Sequence, residues 1–122
     1  MPSSNAGHVL FSGIASQERA ERVARTLLSA DTFSGWGIRT MSKSDAAYNP
    51  LSYHNGSVWP HDNALCAAGL ARYGFIDEAH RVIQAQLDVA RSHHGRLPEL
   101  FAGFDRADLA VPASYPTSCS PQ

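Results

Sequence analysis

Glu99 and Asp62 are the carboxylates whose neighbours set them apart. Glu99 follows Pro98 and stands among Leu97, Leu100 and Phe101. Such an apolar setting raises a carboxyl pKa by desolvation unless donors offset it, although a surface glutamate beside hydrophobic anchors would have the same neighbours. Asp62 opens a predicted helix, where the dipole and free N–H groups favour its ionised form, so helix capping accounts for it as well as a ligand role does. Asp62 also closes the densest chemical stretch of the chain, Tyr48-Asn-Pro-Leu-Ser-Tyr-His-Asn-Gly-Ser-Val-Trp-Pro-His-Asp-Asn63. Its sixteen residues include two Tyr, one Trp, two His and three Asn, with Leu51 and Val58 the only aliphatics. That mixture makes a poor core and a good polyol-binding surface. Aromatic faces cover the C–H faces of a sugar ring, and amides, imidazoles and carboxylates supply directed hydrogen bonds.

Two further residues fall in Phe33-Ser-Gly-Trp-Gly-Ile-Arg-Thr40, an ordered loop by its paired glycines. Trp36 reads by residue type as a core anchor. Arg39 could order the loop or bind a ligand, and composition does not choose. His54, His61, His93 and His94 invite a metal reading, but no HxxxH or HExxH spacing puts two of them on one helical face, and no metal site is expected. No cofactor is expected either. Serine or cysteine nucleophile chemistry lacks its motifs. Cys66 and Cys119 match no CxxC spacing, although a single disulfide between them stays open.

These residues need one domain to hold them, and 122 residues with 43% hydrophobic content suffice for one core. Ten Lys and Arg against eleven Asp and Glu leave a formal charge of -1, which points away from nucleic acid and acidic membrane surfaces and toward a neutral substrate. The N-terminus lacks the basic start and apolar run of a signal peptide, and no apolar run approaches membrane-spanning length. A cytoplasmic chain with reduced thiols is the expectation.

Residues 1–15 read as an entry loop anchored by Val9, Leu10 and Phe11. Ser16 caps a helix predicted over 17–29, with Ala20, Val23, Ala24, Leu27 and Leu28 as its buried stripe. Pro60 suits the first turn of a helix over 61–73, which is apolar at Ala64, Leu65, Ala67, Ala68, Leu70 and Ala71, should be buried on several sides, and ends at Gly74. A helix over 76–92 follows, with Asp77 and Glu78 at its positive end, an inner stripe of Ala79, Val82, Ile83, Leu87 and Ala90, and Gly95 as terminator. The last two helices make an αα-hairpin. No stretch alternates like a strand, so the class is all-α with long ordered loops.

The order of Ser12-Gly-Ile, residues 33–40, residues 48–63, Leu97-Pro-Glu-Leu-Phe101 and Ser118-Cys-Ser-Pro-Gln122 resembles the C-terminal part of bacterial amylo-α-1,6-glucosidase and glycogen-debranching-enzyme-like proteins. The resemblance implies a partial (α/α)6 toroid of helical hairpins and inverting hydrolysis of α-1,6-glucosidic bonds in an α-glucan oligosaccharide. It implies that Glu99 is the general base and that Trp36, Arg39, His54, Asn55, Trp59, His61 and Asp62 contact the sugar. An inverting glycosidase also needs a carboxylic acid about 6.5–9.5 Å from the base, and in these proteins that Asp is expected on an earlier helix pair. Residues 1–122 then form a single segment, a C-terminal fragment of the catalytic domain, inactive alone and prone to self-association where the rest of the toroid is missing. The alternatives are a noncatalytic carbohydrate-binding remnant, a subunit completed by a partner chain, or a sugar epimerase or lyase on the same toroid.

Overall fold

A computed structural model describes residues 2–116, 118 and 119. Among them the helices are α1 (Asn5–Ser12), α2 (Gln17–Leu27), α3 (Pro60–Arg72) and α4 (Ile76–Ser92), and the fold is all-α. Pairing outside the helices is confined to isolated bridges, Phe33 with Ile38, Arg39 with Val58, Val58 with Phe101, and Phe101 with Ser114.

The three predicted helices form within two residues of their expected ends. Ser16 accepts the Arg19 N–H at 3.4 Å at the start of α2 and Pro60 occupies the first turn of α3. Gly74 takes φ +84° just beyond α3, as its terminator role requires. The entry loop is the correction, because residues 5–12 are helical. Eight residues with a glycine and no side-chain cap form no helix on their own; packing on α3 makes this one. A Cβ on Gly69 would lie 2.6 Å from the Phe11 nitrogen, and one on Gly7 would strike the Cys66 side chain, so the two backbones meet with nothing between them.

Helix α3 lies between α1 and α4. Leu10, Ala20, Ala24, Leu27, Ile38, Cys66, Leu70, Ala79 and Val82 form the main core. The inner face of α4 is rotated from the predicted stripe. Ala79 and Val82 are buried as expected, but Ala85, Gln86 and Val89 complete the face, and Ile83 and Leu87 are about half exposed. Gln86 turns inward because its amide donates to the Trp36 carbonyl at 2.9 Å. Helix α3 is likewise less enclosed than predicted, since Ala64, Ala68 and Ala71 face outward.

Two clamps fix the loop over 31–59. Buried Asn63 accepts the Ile38 N–H at 2.7 Å and returns its amide to the carbonyls of Ile38 and Trp59, each at 3.0 Å. Val58 and Phe101 exchange both backbone hydrogen bonds, at 2.9 and 3.0 Å. A Cβ on Gly103 would lie 1.7 Å from the Gly56 carbonyl oxygen, so these two segments touch backbone to backbone. The polar–aromatic stretch is thereby pressed against the segment that carries Glu99.

Candidate active site

His54, Trp59, His61 and Asp62 share one recess of about 370 Å³ with Ser4, Asn5, His8 and Thr40. That volume is at the lower end for small-molecule sites. The rings interlock. Trp59 lies parallel to His54 at 6.0 Å and meets Tyr53 and His61 edge to face at 4.9 and 5.8 Å. Its indole N–H donates to the Tyr53 carbonyl at 3.2 Å and to the Ser57 hydroxyl at 3.0 Å, which fixes its plane.

Asp62 is buried and holds His8 of α1 at 2.5 Å. Its carboxylate faces α1, so α1 forms a wall of the recess. The sequence does not single out His8, because nothing local marks the helix that carries it.

Glu99 does not line the recess, but is joined to its aromatic wall. The Tyr53 hydroxyl donates to Oε1 at 2.7 Å and the Cys119 backbone N–H to Oε2 at 3.0 Å. Donors offset the desolvation that its apolar neighbours impose. The Tyr53 bond first, then the Cys119 N–H, hold the carboxyl below the usual glutamate range against the opposing pull of burial, and nearby His61 acts in the same direction. Glu99 is therefore ionised at neutral pH.

The other three predicted contacts lie elsewhere. Trp36 is 4% exposed and packs with Val58, Val89 and Phe101, with the Arg106 guanidinium 4.3 Å over its ring; it is the core anchor its residue type suggested. Arg39 is fully buried and directs its guanidinium to Gly103, Asp105 and the carbonyls of Ala30 and Asp31. Asn55 is exposed, and its carbonyl closes a turn by accepting the Asn49 N–H. None of the three reaches the recess, because loop packing has already used them or turned them away.

Both cysteines are free, Cys66 buried and Cys119 exposed, so no disulfide joins them. Among the described residues no cluster of three or more His, Cys, Asp or Glu could hold a metal ion, and no helix is long and apolar enough to cross a membrane.

Four carboxyls share the downward shift. Ser42 is the main cause at Asp31 and Arg106 at Asp88. At Asp105 burial pushes upward but is outweighed by Lys43 and Arg39, and Glu99 is described above. A carboxyl depressed on folding stabilises the native state above its unfolded pKa, near 4, and loses that contribution as pH falls through the folded value. The urea midpoint is expected to hold between neutrality and about pH 5 and to fall steeply below about pH 4. Asp31→Asn should flatten that fall; an unchanged acid limb would show that Asp31 contributes nothing to it.

Residues 5–106 match the family described as the mannosylglycerate hydrolase MGH1-like glycoside hydrolase domain. Mannosylglycerate hydrolases MGH1 and MGH2 of Selaginella moellendorffii are each 35% identical to the chain over 83 residues, which is 68% of this chain and 17% of theirs. The chain thus spans about a sixth of the length of these relatives. In fold it is similar to the GH63 mannosylglycerate hydrolase of Thermus thermophilus, solved with glucose, at TM-score 0.72 and 22% identity, covering 87% of this chain and 25% of that one. An uncharacterized conserved protein of the same organism aligns at TM-score 0.66 and 24% identity, over 78% and 23% of the two chains. The four helices therefore have the fold of a partial (α/α)6 toroid. On the match over residues 5–106, the chain belongs to the MGH1-like glycoside hydrolase domain family.

Proposed function

We propose that the chain supplies the general base and one wall of the sugar pocket of an inverting α-glycoside hydrolase of the cytoplasm, with the general acid contributed by residues outside 1–122. The observation that carries this reading is the Glu99 carboxylate, fixed by the Tyr53 hydroxyl at 2.7 Å beside the aromatic recess. A base for water must be deprotonated at working pH and fixed beside the sugar. Trp59, His54, His61 and Asp62 supply the sugar wall, with His8 added to it. Trp36 and Arg39 hold the loop behind that wall, and Asn55 closes its turn.

For substrate, the relatives' names suggest a hexose joined to a small polar aglycone, and the modest recess suits one. The α-1,6-glucan branch remains the second substrate reading, favoured by the motif order over 33–40, 48–63 and 97–101. Titration with mannosylglycerate is expected to perturb Trp59 fluorescence saturably without turnover, and Trp59→Phe should abolish the change. A response only to branched α-glucan would select the debranching reading, and no response to any glycoside would sink both. Binding that stays without turnover when the remainder of the domain is supplied would make the chain a noncatalytic carbohydrate-binding element.

The same reading leaves apolar surface in need of cover. Ile83 and Leu87 flank a groove of about 240 Å³ floored by Ala64, Ala67 and Val82. In isolation the chain is expected to self-associate through this face. Sedimentation velocity should show concentration-dependent oligomers that Leu87→Lys disperses; a monodisperse monomer at high concentration would refute it.

A further inference from the structure

We infer that Tyr53 is the positioning residue that aims the Glu99 carboxylate, an assignment that rests on the proposed role of Glu99 as base. Tyr53 and Glu99 are 46 residues apart in sequence, and their bond is the direct side-chain link between the aromatic wall and that carboxylate. Oε1 takes the phenol O–H and Oε2 takes the Cys119 N–H, so the carboxylate plane is held at both oxygens. The Cys119 side chain bonds the carboxylate as well, which leaves one lone pair for a water molecule.

Tyr53 is itself immobilised. Its ring meets His54, Trp59 and Tyr115 edge to face at 4.7, 4.9 and 5.6 Å. Its carbonyl accepts from the Ser57 hydroxyl at 2.7 Å and from the Trp59 indole at 3.2 Å. The phenol cannot swing away without moving Trp59. One residue thus sets both the plane of the sugar-facing indole and the direction of the carboxylate, and inversion needs that relation fixed, because water must approach the face opposite the leaving group. Packing alone would be met by Phe at this position; only the hydroxyl reaches Glu99.

The test is a carboxyl titration of the 122-residue chain labelled with carbon-13 at the glutamate δ position, with Glu99 assigned by Glu99→Gln. In Tyr53→Phe the Glu99 midpoint is expected to rise toward the ordinary glutamate value, while Tyr48→Phe, whose hydroxyl bonds the Gly103 carbonyl instead, leaves it in place. An unmoved midpoint in folded Tyr53→Phe overturns the assignment. If Tyr53→Phe does not fold, replacing the tyrosines by 3-fluorotyrosine preserves the ring and strengthens the O–H donor. The midpoint should then fall, and a static value overturns the assignment equally. The role of Glu99 is decided separately, by glycoside turnover in Glu99→Gln with the remainder of the catalytic domain supplied. A raised midpoint in Tyr53→Phe together with undiminished turnover in Glu99→Gln would remove the base that Tyr53 is said to serve, leaving their hydrogen bond as structure only.

Discussion

Arg39→Met is expected to destabilise the chain by about 3 kcal/mol, the lower end for breaking a buried ion pair, because only the arginine side of this pair is fully buried. Arg39 has no exposed surface, and its guanidinium donates to the Gly103 carbonyl at 2.7 Å and to Asp105 at 2.6 Å. Longer bonds of 3.4 Å reach the carbonyls of Ala30 and Asp31, and the Tyr48 ring lies 5.9 Å away. Methionine fills much of the volume but donates to none of those acceptors, and Tyr48 on the Gly103 carbonyl and Lys43 on Asp105 replace only part of what is lost. Arg39→Lys should recover little, because a single ammonium cannot span the carbonyl and the carboxylate together. Asp105→Asn should cost less, since Asp105 is 27% exposed and water can replace part of what it loses. Against a typical domain stability of about 5–15 kcal/mol, the arginine loss should be plain in a urea titration. The contrary result would be informative: near-parental stability in Arg39→Met with weakened glycoside binding would make Arg39 a ligand contact after all.

This clamp explains why the site could be read only in part from the chain. Glycine, tryptophan and arginine in residues 33–40 suggest an ordered, chemically rich loop, and the loop is ordered. Which way each side chain turns depends on residues far away. Trp36 is drawn inward by Val58, Val89 and Phe101, and Arg39 by Gly103 and Asp105. Local composition contains neither fact. The same holds for Glu99, whose apolar sequence neighbours raise its pKa only where no donor offsets them. The decisive donor, Tyr53, arrives from 46 positions away and reverses the sign.

The helices show the same division. For α4, acidic residues at the start, a long apolar period and a terminating glycine all agree, and its ends fall at Ile76 and Ser92 as predicted. Two apolar stripes overlap on that helix, however, and Gln86 selects between them by bonding the Trp36 carbonyl. For α1 no local signal is strong enough, because its helicity comes from contact with α3. With α1 goes His8, the one imidazole of the recess that lies outside the polar–aromatic stretch.

Glu99→Gln carries the largest expected effect on activity. With the remainder of the catalytic domain supplied and a glycoside turning over, the variant should lose about 10²–10⁴-fold in kcat, the range for removing a positioned general base. Glutamine preserves the size and can still accept from Tyr53, although its amide then meets the Cys119 N–H donor to donor, so stability should fall slightly while sugar binding and KM stay near their parental values. That split separates loss of chemistry from loss of the pocket. Trp59→Phe should do the reverse, weakening binding while the carboxylate stays in place. The stereochemistry gives an independent check, because water activated from the face opposite the leaving group turns an α-glycoside into the β-anomer. NMR of the first-formed sugar should therefore show β before mutarotation. A first-formed α-anomer, or a Glu99→Gln variant whose kcat stays close to the parent's, would mean that Glu99 is not the base. The Tyr53–Glu99 bond would then be one more clamp between the segments that Arg39, Gly56 and Gly103 already hold together.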